Sequence, residues 1–96
     1  MVIRQGDVLL IPSRNETGER LDHLTLALGE VTGHSHRILD GNATLINKSG
    51  TLYLSVESNS ATLVHEEHKP ISLEEGIYEV VRQREYNPID NHLVQD

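Results

Sequence analysis

Four of the chain's six histidines fall in two tight groups, Gly33-His34-Ser35-His36 and His65-Glu66-Glu67-His68. Imidazole is the side chain that most readily ligates a transition metal or exchanges a proton near neutral pH, so two such groups define a metal-site or acid/base candidate wherever the fold lets them meet. A His-x-His on a strand sends both rings to one face, about 7 Å apart along the backbone. His65 and His68 are three apart, and a regular strand would send them to opposite faces. Both reach one centre only if Glu66-Glu67 forms a turn or bulge. Strand parity favours His65, which continues the side of Leu63, and a turn equally presents His68. Glu66 and Glu67 offer oxygen ligands, or acceptors that fix an imidazole tautomer; for either one alone, a solvated turn charge is the simpler reading. The candidate metal ligands are therefore His34, His36, His65, His68, Glu66 and Glu67, and the same four histidines are the candidate catalytic groups. His23 and His92 stand outside both groups and read as surface residues.

The chain has no cysteine, so thiolate sites are impossible and any metal is held by nitrogen and oxygen. Such ligands suit a divalent transition metal, whether zinc, iron, manganese or nickel. There is no Gly-rich phosphate loop, nucleotide fingerprint or activated Ser. The formal net charge of -7 repels phosphate backbones, and three tyrosines with no Phe or Trp offer few stacking platforms. Nucleic acid is thus a disfavoured partner. A metal-free alternative nevertheless stands. One imidazole acts as general base and another as general acid on a phosphodiester, RNA included, with Lys69, Arg37 or a tyrosine stabilising the developing charge. Arg82, Arg84 and Tyr86, on one face of the last strand, together with Arg37 would hold the phosphate. A third class is a non-catalytic ligand-binding or structural module whose ion staples a small core.

The elements that must position these groups read as strands. Apolar residues, mostly Val, Ile and Leu, alternate over short stretches, and turn residues interrupt them every 8 to 12 positions or so. The expected strands begin with 8–11, ending at Pro12, followed by a polar loop over 13–20. Leu24, Leu26 and Leu28 share a face, and so do His34, His36 and Ile38. Asp40-Gly41-Asn42 reads as a hairpin turn joining the His strand to 43–47, and Lys48-Ser49-Gly50 as another turn. Leu52, Leu54 and Val56 form one strand, and Ala61, Leu63 and His65 a second, with polar 57–60 between. A short segment 71–73 lies between Pro70 and a Glu74-Glu75-Gly76 turn, and 77–86 is the longest strand. For 16–28, one helical turn and none are equal alternatives. The fold class is all-β, a small antiparallel β-barrel or sandwich with little or no helix, in a single domain over 1–96 whose residues 88–96 form a polar tail. At 96 residues the core is small, so a homo-oligomer is expected. No apolar run is long enough to span a membrane and no leader pattern opens the chain, which points to a cytoplasmic protein.

Over residues 29–82 the chain resembles the cupin superfamily. The first cupin motif runs Gly, then His-x-His, then a downstream Glu, and Gly33-His34-Ser35-His36 matches its start. His65 or His68 ahead of Pro70, Leu73 and the strand from Ile77 follows the order of the second motif. No Glu follows His36 where the first motif places one, and no Pro-x-Gly turn precedes the second histidine. The resemblance implies a conical β-barrel with a divalent ion in its mouth, serving a small metalloenzyme or a non-catalytic binder of a small molecule.

Overall fold

The computed structural model describes residues 1–14, 17–29 and 32–83. These form β1 (Ile3–Gln5), β2 (Val8–Ser13), β3 (Glu19–Arg20), β4 (Thr25–Leu28), β5 (Ser35–Asp40), β6 (Ala43–Lys48), β7 (Thr51–His65) and β8 (His68–Arg82). All pairings are antiparallel. The sheet runs in the order β1-β2-β8-β7-β5-β4, with β6 pairing β7 and β3 pairing β6. It curls into a half-barrel, the all-β architecture that the alternating pattern predicts. No α-helix occurs among the described residues. None of these residues forms a helix long and apolar enough to cross a membrane.

The spine is the β7–β8 hairpin, two strands of 15 residues each. The sequence suggests four shorter segments here, because the apolar alternation changes phase. Leu54 and Val56 point inward at even positions, whereas Ala61 and Leu63 do so at odd ones. A register shift between Val56 and Ser60 absorbs the difference, and β8 changes phase at the same level, from Leu73 to Tyr78. Glu74-Glu75-Gly76 is accordingly a bend within one strand rather than a turn between two. The irregularity lets one long strand serve two neighbours, since the first part of β7 pairs with β6 and the last part with β5.

Other expectations are corrected in the same physical terms. The turn at Gly41 exists, but β5 and β6 are not a hairpin: each pairs with a different stretch of β7. Strand β2 continues past Pro12 to Ser13, where the ladder with β1 has already ended at Leu10 and a residue without an N–H is tolerated. Leu24, Leu26 and Leu28 do not share a face, because a bulge between Thr25 and Ala27 buries Leu26 and Ala27 together and leaves Leu28 exposed. The polar stretch 13–20 contains β3, and β4 occupies part of the region that was open to a helical turn. The turn at Ser49-Gly50 is as expected, with both residues at positive φ, which suits the tight β6–β7 hairpin. Glu16, Arg84, Tyr86, His92 and the tail 88–96 lie outside the described residues.

One aliphatic core lines the inside of the curl. Leu10, Leu45, Leu54, Leu63 and Leu73 are fully buried, and burial of each contributes about 1.5–3 kcal/mol. Tyr78 joins them and donates its hydroxyl to Glu74 O at 2.7 Å. His36 and Gln5 are the buried polar side chains at the edge of this core.

Candidate functional site

Three backbone features bring the histidines together. Strand β5 begins just after His34 and pairs Arg37 with Val64, so His36 lies across from the end of β7. Glu66-Glu67 form a two-residue turn, and His65 and His68 are the pair that closes it. This is the condition under which both histidines reach one centre. The Gly6-Asp7 turn between β1 and β2 then approaches from the side of β8. The rings of His36 and His65 lie 4.3 Å apart, those of His65 and His68 4.8 Å, and those of His34 and His65 5.7 Å. His36 and His68 stack at 5.9 Å. All four clustered imidazoles therefore form one continuous patch. Gly6 permits the closest approach: its φ is +59°, and a Cβ there would sit 2.6 Å from His68 Nε2.

The tautomer of His36 is settled by its neighbours. Gln5 Nε2 donates to Leu63 O at 3.1 Å and to Lys69 O at 3.0 Å. With both amide hydrogens spent on carbonyls, Gln5 can only accept at Oε1, which lies 2.9 Å from His36 Nδ1. Nδ1 therefore carries the proton, and the neutral ring presents a lone pair at Nε2. Burial, and then the adjacent His65, lower the pKa of His36 from 6.5 to about 4, so the ring is neutral at pH 7. Asp7 Oδ1 lies 3.5 Å from Nε2. Its other oxygen, Oδ2, accepts from Arg82 Nε at 3.3 Å and from an Arg82 terminal N–H at 2.9 Å.

His65 has the opposite tautomer. The backbone N–H of Glu67 donates to its Nδ1 at 3.0 Å, so the neutral ring carries its proton on Nε2. His34 Nδ1 is buried and makes no hydrogen bond, and it lies 3.1 Å from Glu67 Oε2, an ion pair when the imidazole is protonated. Glu66 accepts from Ser35 N–H at 3.0 Å and pairs with Arg37 at 2.9 Å. The hydrogen bond from Ser35 holds the Glu66 carboxyl below its usual pKa. His34, His65 and Glu66 each bring one ligand atom within 4.8 Å of the others. In this trio, however, His65 Nδ1 already accepts from Glu67 in the turn and the Glu66 oxygens are engaged by Ser35 and Arg37 of β5, so an ion there competes with these contacts. The preorganised lone pair is that of His36 Nε2.

The structure thus gathers His34, His36, His65 and His68. Glu66 is turned onto β5, and Glu67 is mostly exposed beside His34. Arg37 pairs with Glu66 and Arg82 with Asp7, so neither of these cations extends into the patch as an unpaired phosphate holder. Lys69 contributes its backbone carbonyl, and its side chain is exposed. Gln5 and Asp7 are the residues that sequence reasoning missed. Their only signal is the Gly6 turn ahead of an apolar strand, and nothing in the spacing ties it to His36.

No curated protein and no solved structure matches the chain. One family model, described as a domain of unknown function, matches residues 4–83, a span that holds Gln5, Asp7, all four clustered histidines and Arg82. The chain belongs to that family, DUF8820.

Proposed function

We propose that the chain binds a divalent first-row transition metal in the imidazole patch, at the mouth of a cupin-like half-barrel. The observation that carries this is the fixing of His36 by Gln5. A metal-bound histidine characteristically donates its other ring N–H to an oxygen, which sets the tautomer and strengthens the free nitrogen as a ligand. His36 has that arrangement, built from three hydrogen bonds of the Gln5 side chain. His68, stacked on His36, and His34, whose buried Nδ1 has no hydrogen bond, supply further imidazole nitrogen. Nitrogen and oxygen donors without thiolate suit zinc, iron, manganese or nickel. A metal in such a site polarises an oxygen or activates water, so the chemistry class is metal-assisted transformation of a small molecule. Elemental analysis of tag-free protein should show near-stoichiometric metal that disappears in the His34→Ala/His36→Ala variant. Equal metal in both samples would sink the proposal.

A second reading is favoured by one observation, the opposed tautomers. His36 offers a lone pair and His65 an N–H on rings 4.3 Å apart, the pairing a metal-free acid/base reaction on a phosphodiester needs. Cleavage of an RNA substrate in excess EDTA, lost in both His36→Gln and His65→Gln, would support it. Cleavage that EDTA abolishes would exclude it.

A further inference from the structure

No glutamate closely follows His36 in the sequence, and the half-barrel places another carboxylate, that of Asp7, beside its ring. We propose that Asp7, from the β1–β2 turn, is the carboxylate ligand of the metal centre, sharing the ion with His36 Nε2. This inference rests on the metal reading and names a ligand for it.

Gln5 places the lone pair of the neutral ring on Nε2, and the atom facing it is a carboxylate oxygen. The separation is 3.5 Å. A protonated imidazole donating to a carboxylate draws in to about 2.7–2.9 Å, well inside that distance. Two ligand atoms each about 2.1 Å from a tetrahedral ion stand about 3.4 Å apart, which matches it. Arg82 grips Oδ2 through two N–H groups and thereby orients Oδ1 toward His36. His68, stacked on His36, occupies the space that a side chain on Gly6, the residue preceding Asp7, would fill. The alternatives are less well placed. Glu66 is held by Ser35 and Arg37, and the Glu67 side chain is 59% exposed.

The test is a zinc titration of metal-free protein by calorimetry, using wild type, Asp7→Asn and, as a control that removes the same charge from the exposed end of β5, Asp40→Asn. Asp7→Asn is expected to weaken zinc binding at least about tenfold, with Asp40→Asn indistinguishable from wild type. Equal affinity in wild type and Asp7→Asn overturns the assignment of Asp7 and leaves the metal reading intact. No zinc binding by wild type overturns the metal reading itself. Because Asp7→Asn also weakens the pairing with Arg82 and can unfold the chain, a measurement on wild type stands beside it. With carboxyl-labelled aspartate, zinc should shift the Asp7 side-chain carbon resonance. An Asp7 resonance unmoved by saturating zinc refutes the proposal.

Discussion

Acid titration of the metal-free protein isolates His36. Its pKa falls from 6.5 in the unfolded chain to about 4 in the fold, with burial the leading cause. Between those values the unfolded chain binds the extra proton, so the stability contributed by the neutral, buried ring is complete above pH 6.5 and drains away as pH falls toward 4. Worked through the linkage relation, the loss relative to neutral pH is about 2 kcal/mol at pH 5 and about 3 kcal/mol at pH 4. The assay is urea unfolding in EDTA at pH 7 and pH 5, comparing wild type with His36→Gln, which cannot titrate at this position but keeps a donor for Gln5 Oε1. With a urea dependence of about 1 kcal/mol per molar, the wild-type midpoint should drop by about 2 M more than that of the variant. Titrating groups that do not touch His36 are common to both proteins and cancel, and the buried ring is the leading difference between them. Equal drops in the two proteins would show that His36 is not held neutral by its surroundings, and the reasoning would fail.

Three further outcomes follow from the packing. Gln5→Leu strands the Nδ1–H of His36 and the carbonyls of Leu63 and Lys69, so it should cost at least about 2 kcal/mol in urea unfolding and lower zinc affinity about 10-fold to 100-fold. A Gln5→Leu protein that binds zinc as wild type does would contradict the orienting role. Gly6→Ala imposes a side chain at positive φ against the His68 ring; the expected fold cost is about 1 kcal/mol, accompanied by weaker zinc binding, and a variant unchanged on both counts would refute the close approach. Leu63→Ala opens a cavity at a fully buried position, and unfolding free energy should fall by about 2–5 kcal/mol; a loss below about 1 kcal/mol would mean that the core does not centre on the β7–β8 hairpin.

The parts of the fold that the sequence revealed are those governed by local periodicity. His36 and Ile38 are buried on one face because a strand alternates with period two, and His34, just ahead of β5, approaches the same ring as His36, that of His65. The turn at Glu66-Glu67 was legible only as a condition, since three-residue spacing admits one centre through a turn and two faces without it. The continuity of β7 and β8 was hidden because their apolar phase reverses at Val56–Ser60, and a phase reversal looks like a strand end in one dimension. Gln5 and Asp7 were hidden for a different reason. They reach the histidines through the short β1–β2 hairpin and through the pairing of β2 with β8, which joins residues far apart in the chain, such as Val8 and Arg82. Neither residue has a motif partner nearby. The glutamates show the converse: their nearness in sequence to His65 and His68 made them candidates, and the same short turn directs Glu66 onto Ser35 and Arg37.

The most direct test of the central claim is nitrogen NMR of histidine-labelled protein across a zinc titration. In EDTA at pH 7, His36 should show a protonated Nδ1 and a bare Nε2, the reverse of His65. On addition of one equivalent of zinc, the Nε2 resonance of His36 should move to the metal-bound range while Nδ1 keeps its proton and its bond to Gln5. A His36 resonance unchanged at saturating zinc, or a proton found on Nε2 in the metal-free neutral ring, would contradict the account.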